Sequence, residues 1–103
     1  EELRRQHDRL ISTILAEEEQ LISAHRQHVD IIFEFVKEEM ECIKKVDQPG
    51  SDVEQYVAGV DRLLRLKNEH IVGMRQRLDR FRGHLKLEES LSKKFSTLSS
   101  PSV

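Results

Sequence analysis

Apolar residues recur at helical spacing along two stretches of this chain, separated by a segment that cannot be helical. In the second stretch Val53, Val57, Val60, Leu64, Lys67, Ile71, Met74, Leu78, Phe81 and Leu85 alternate steps of four and three, and nine of the ten are apolar. A heptad seam of that length predicts a long helix, from about residue 52 to 94. The first stretch runs 45 residues without Pro or Gly and predicts a helix over about 2–45. It carries two adjacent stripes. One is Ile11, Leu15, Glu18, Ile22, His25, Val29, Ile32, Val36, Met40 (or Glu39) and Ile43; the other is Leu10, Ile14, Leu21, Ala24, His28, Ile31, Phe35 and Cys42.

Between the stretches stands Val46-Asp47-Gln48-Pro49-Gly50-Ser51. Pro lacks an amide donor and restricts the residue before it, while Gly accepts left-handed backbone angles. Residues 46–51 are therefore a turn at Pro49 and Gly50. Ser51-Asp52-Val53-Glu54 reads as a capping box, with the Ser51 hydroxyl accepting from the Glu54 amide and the Glu54 carboxylate reaching back. The predicted fold is all-α: a long antiparallel helical hairpin, one domain, each helix roughly 65 Å long at 1.5 Å per residue.

A hairpin has one internal seam, which we assign to Ile22, Val29, Ile32, Val36 and Ile43 against Val53, Val57, Val60, Leu64, Ile71, Met74, Leu78, Phe81 and Leu85. That leaves a second apolar set over: Ile31, Phe33 and Phe35 on the first helix, Tyr56, Leu63 and Leu66 on the second. Six of the eight residues from Val29 to Val36 are apolar, more than one neighbouring helix covers. The expected partner is a second copy, giving a homodimeric four-helix bundle or coiled coil. The alternative is a different helical adaptor.

Composition narrows the chemistry. At 103 residues and 35% charged, with 5% aromatics, the chain suits a solvated bundle. One cysteine, Cys42, excludes an internal disulfide and fits a reducing compartment. No run approaches a membrane span and no secretory signal is present. The chain opens at Glu1-Glu2 already in helical pattern, as expected of a piece of a longer protein. Residues 1–45 hold 11 acids and 7 bases, whereas 62–86 hold 8 bases and 2 acids. With the turn near 49, Glu17, Glu18 and Glu19 should lie opposite Arg77, Arg80 and Arg82, Asp30 opposite Lys67, and Glu34 opposite Arg62 or Arg65. Internal matching is preferred to nucleic acid as the reading of this basic stretch; an acidic protein partner is the alternative.

Five histidines invite a metal reading, His25 and His28 most of all, but no histidine has Glu three positions before it and no His-Glu-x-x-His occurs. Nor is there a Gly-x-x-x-x-Gly-Lys-Ser/Thr phosphate loop. The expectation is a non-catalytic segment with no catalytic, metal or cofactor-binding residues. Ser becomes frequent from Ser90, and residues 95–103 are expected to fray into a disordered tail, with Ser100-Pro101 a candidate for proline-directed phosphorylation.

Several segments together carry a resemblance. Glu17-Glu18-Glu19-Gln20-Leu21-Ile22-Ser23-Ala24-His25-Arg26, Val36-Lys37-Glu38-Glu39-Met40, Val46 to Ser51, Tyr56-Val57 and Arg77-Leu78-Asp79-Arg80-Phe81 resemble, in that order, the C-terminal region of the kinesin-13 family, in its plant or protist form. The resemblance implies a microtubule-depolymerising motor as parent, cytoplasmic and microtubule-associated, with ATP and Mg²⁺ used only in a motor domain outside this chain. This segment would be its dimerisation and regulatory tail. Its partners would be a second copy, the motor domain, adaptor proteins or tubulin, whose acidic tails would suit the basic stretch.

Overall fold

The structure, a computed structural model, describes residues 1–99. Two α-helices, α1 (Glu2–Val46) and α2 (Val53–Ser99), run antiparallel as an all-α hairpin. Along them the chain forms two compact units: Glu1–Ser23 with the described part of Gln76–Val103 (unit 1), and Ala24–Arg75 (unit 2).

The turn belongs to unit 2. The Ser51 amide donates to Gln48 O at 3.2 Å, and Gly50 has φ +74°. Pro at the second position and a positive-φ Gly at the third match a type II turn, which only Gly enters without strain. Lys44 and Lys45 in the last turn of α1 favour its negative dipole end. The predicted capping box does not form. The Ser51 hydroxyl instead donates backwards, to Val46 O at 2.8 Å, satisfying a carbonyl that α1 leaves open. Asp52 caps α2: its Oδ1 accepts from the amides of Glu54 at 3.0 Å and Gln55 at 3.3 Å. A carboxylate at the positive end of a helix dipole is the stronger cap, which frees Ser51 for the other helix. Asp52→Ala should therefore cost about 1 kcal/mol in urea denaturation, while Glu54→Gln should cost at most a few tenths.

The seam inside each unit differs from the one assigned above. In unit 2 Leu63 is only 1% exposed, and Ile31, Phe35, Cys42, Tyr56 and Leu66 are half-buried around the helix contact. These include five of the six residues expected to face a partner; the sixth, Phe33, is exposed. In unit 1, among the described residues, Ile14 and Leu91 are buried, each 8% exposed. Ile22, Val29, Val36 and Ile43 on α1 are exposed, as are Val53, Val57, Leu64, Ile71, Leu78 and Leu85 on α2. Ile32, Val60, Met74 and Phe81 are half-buried. The two alternatives differ by one residue along each helix, a rotation of 100°.

Polar pairs explain the choice. The adopted seam also contains His7, Glu17, Glu39, Lys67, His84 and Glu88, and each finds a partner across it. In unit 1 His84 bonds Glu17, while His7 meets Glu88 at 3.2 Å and Phe95 edge-on with ring centroids 5.1 Å apart. In unit 2 Lys67 sits 2.6 Å from Glu39 and His70 stacks obliquely on Phe35. Small residues let the axes approach, Cys42 Sγ lying 3.4 Å from where a Cβ on Gly59 would stand.

The charge register is shifted as well. Arg62 pairs with Glu38, about one turn beyond Glu34, and Lys67 pairs with Glu39 rather than Asp30. Glu34, Arg65 and Arg82 pair within their own helices, with Lys37, Asp61 and Asp79. Arg77 and Arg80 have no ion pair among the described residues. The long reach of Lys and Arg side chains lets them choose partners a turn away, so the simple opposition rule fails.

Helix α2 also continues five residues past its expected end, to Ser99. The Phe95 ring against His7 anchors this part, and the Thr97 hydroxyl bonds back to Lys93 O at 3.0 Å. The Ser100-Pro101 candidate and the rest of 100–103 lie outside the described residues.

Candidate interaction surface

The apolar residues excluded from the seam form an ordered pattern. On α1 they are Leu15, Ile22, Val29, Val36 and Ile43, every seventh residue; on α2 they are Val57, Leu64, Ile71, Leu78 and Leu85, again every seventh. Phe33 and Met40 fill the intermediate heptad positions of α1, at 59% and 54% exposure. Val29, Phe33, Val36, Met40 and Ile43 thus repeat the four–three spacing of a coiled-coil seam on an exposed face, where Lys37 Nζ sits over the Phe33 ring, 5.1 Å from its centroid.

Both stripes in unit 2 lie on one side of it. Each stripe is one residue past the internal seam, hence rotated by 100° on its own helix. Because α1 and α2 run in opposite directions, the two rotations carry the stripes to the same side. Among the described residues, ten of the fifteen large exposed apolar side chains fall in unit 2, so the surface is centred there. Contiguous apolar patches beyond a few hundred Å² are uncommon on monomers and mark interaction sites.

The opposite side of unit 2 is different in kind. A cleft of about 620 Å³ opens beside the turn, lined by Cys42, Lys45, Ser51, Tyr56, Gly59 and Arg62. Arg62 is already engaged by Glu38 at 3.4 Å. Among the described residues no group of three or more His, Cys, Asp or Glu side chains is placed to hold a metal ion, and no helix is long and apolar enough to cross a membrane. Of the histidines singled out by spacing, His28 is half-buried and His25 exposed.

One titratable site in unit 1 is perturbed. The Ser92 hydroxyl donates to Glu88 Oε1 at 2.5 Å, and His7 adds a second hydrogen bond; together they hold the Glu88 carboxyl below its ordinary value of 4.5. A carboxyl with a depressed folded value adds stability above its unfolded value, and that stability is lost as pH falls through the folded value. Helicity followed across about pH 3 to 6 should therefore decline on the acid side, and Ser92→Ala should shrink the part of that decline due to Glu88.

Sequence comparison decides the family. The chain is 45% identical over 87 residues to the kinesin-like protein KIN-13A of Oryza sativa subsp. japonica, covering 84% of this chain. It is 34% identical over 76 residues to the kinesin-like protein KIN-13B of Arabidopsis thaliana, covering 74%. The chain belongs to the kinesin-13 family. Both relatives are plant proteins, in keeping with the plant form of the motifs noted above. The matched segment spans 11% of the length of each relative, so this kinesin-13 chain corresponds to a small part of such a protein. No family model and no solved structure matches it. The sequence motifs carried the family; the exposed stripe of this kinesin-13 segment is what they left unresolved. Leu15, Met40 and Val72 are exposed as well, though the apolar pattern of the sequence places none of them in the internal seam or in the set facing a partner. A signal was present: polar residues that match across the helices mark the internal seam, and the apolar heptads beside them, which hold no such matched pair, do not.

Proposed function

We propose that this segment is a non-catalytic self-association module of a kinesin-13 motor, pairing two copies through the exposed heptad face of unit 2. The observation that carries the reading is the four–three run Val29, Phe33, Val36, Met40, Ile43, exposed on the same side as Val57, Leu64 and Ile71. Heptads of aliphatic and aromatic residues are the pattern by which helices recognise helices. A standard interface buries roughly 800 Å² per partner, a size that calls for a run of exposed apolar residues such as this one.

In this reading the segment lies C-terminal to a motor domain that carries the ATP and Mg²⁺ chemistry and depolymerises microtubules. Its task is to hold two motors together and to serve as a regulatory contact, in a cytoplasmic, microtubule-associated setting. The segment itself binds no nucleotide. Two differently tagged copies of the chain, co-expressed, should co-purify through the tag on one of them. Copies that never co-purify would sink the reading and leave the face to a different helical protein.

A further inference from the structure

The charges that frame the apolar face fix how a second copy must lie on it. This inference rests on the self-association just proposed and concerns its geometry. On α1 the stripe is centred on Val36, with Val29 and Ile43 seven residues to either side; Arg26 and Asp47 stand ten and eleven residues from the centre. On α2 it is centred on Leu64, with Val57 and Ile71 seven residues away, and Glu54 and Arg75 ten and eleven away. None of Arg26, Asp47, Glu54 and Arg75 has an ion pair among the described residues, although most other charges of unit 2 do.

The hairpin sets these four charges in two level pairs. The Cys42–Gly59 approach, a contact between small residues that no long side chain can displace, shows which residues of α1 and α2 stand side by side. Continued in both directions, that register places Arg26 level with Arg75 at one end of unit 2, and Asp47 level with Glu54 at the turn. The face therefore runs from basic to acidic over roughly 31 Å, the length of 21 helical residues at 1.5 Å each.

We infer that the segment forms an antiparallel two-fold dimer, α1 on α1 and α2 on α2, with Val36 and Leu64 each meeting their own copy at the axis. Two face-to-face arrangements obey two-fold symmetry. With the hairpins parallel, α1 of one copy lies on α2 of the other, so Arg26 faces Arg75 and Asp47 faces Glu54: like charge meets like at both ends. With the hairpins antiparallel, each stripe maps onto itself, Arg26 meets Asp47 of the second copy, and Arg75 meets its Glu54. An isologous interface needs a self-complementary patch, and only the second arrangement makes this one so. Juxtaposed like charges discriminate against the first.

Cysteine pairing distinguishes the two. In a Cys42→Ser background, Val36→Cys and Leu64→Cys are made singly, then oxidised alone and as a mixture. The antiparallel dimer gives a disulfide-linked dimer of each variant on its own. A parallel dimer links neither alone but joins Val36→Cys to Leu64→Cys in the mixture, which would overturn the geometry while leaving self-association intact. The mass of the same variants under reducing conditions separates the two failures: a monomer at high concentration overturns self-association itself. Charge reversal gives an independent check. Arg26→Glu with Arg75→Glu should weaken the dimer about tenfold, and adding Asp47→Arg with Glu54→Arg should restore it. Weakening without restoration would count against the antiparallel pairing of these charges.

Discussion

Val36→Glu is expected to turn the proposed dimer into monomers. The residue sits at the centre of the exposed stripe and, on the two-fold axis, the substitution would bring two carboxylates together inside an apolar interface. An unpaired charge in such a place costs several kcal/mol, so dissociation should become easier by 100-fold or more. The side chain is already 39% exposed in the single hairpin, and Glu is a good helix former, so the helical signal of the monomer should persist at high concentration. Sedimentation velocity with circular dichroism on the same samples reads both. A Val36→Glu chain that still sediments as a dimer would place the interface elsewhere.

The second large effect tests the seam inside unit 2. Leu63 is 1% exposed and Leu64, its neighbour, is 49% exposed. Made in the monomeric Val36→Glu background, Leu63→Ala should cost about 3 kcal/mol by emptying a closed contact, whereas Leu64→Ala should cost well under 1 kcal/mol. The order reverses if the seam assigned from the heptads alone is correct. Urea titration of the two variants side by side therefore decides a question of 100° of helix rotation.

That rotation marks the boundary of what the sequence discloses here. Two long helices and a turn follow from apolar periodicity and Pro49-Gly50, because both act locally. The seam does not follow, since around Val29 to Val36 two adjacent stripes are equally apolar and either could be buried. What chose between them was long-range: Glu17 with His84, Glu39 with Lys67, and His7 with Glu88 each needed a partner from the other helix. Once those pairs formed, the aliphatic heptads were left outside. The same competition explains the turn, where Ser51 and Asp52 were both plausible caps. The structure gives the cap to Asp52 because Ser51 satisfies Val46 on the helix before it. The expected end of α2 failed for a similar reason, Phe95 having a ring to pack on in His7, 88 residues earlier in the chain.

The same division runs through the functional reading. The family was legible from short motifs read in order, and the comparisons agree. The surface proposed for self-association was legible only as an excess of apolar residues, without its location. Exposure locates it on one side of unit 2, and the unpaired charges at its ends are the basis for the proposed two-fold arrangement.

Sedimentation equilibrium of the purified chain, over a wide range of concentration and at two salt levels, tests the central claim most directly. The account predicts a mass near twice the 12.1 kDa chain. Salt should weaken the dimer modestly, because the framing charges are exposed, without abolishing it, because the apolar face supplies most of the association energy. A mass of one chain at every concentration would contradict self-association and leave the exposed heptads of α1 and α2 to another partner.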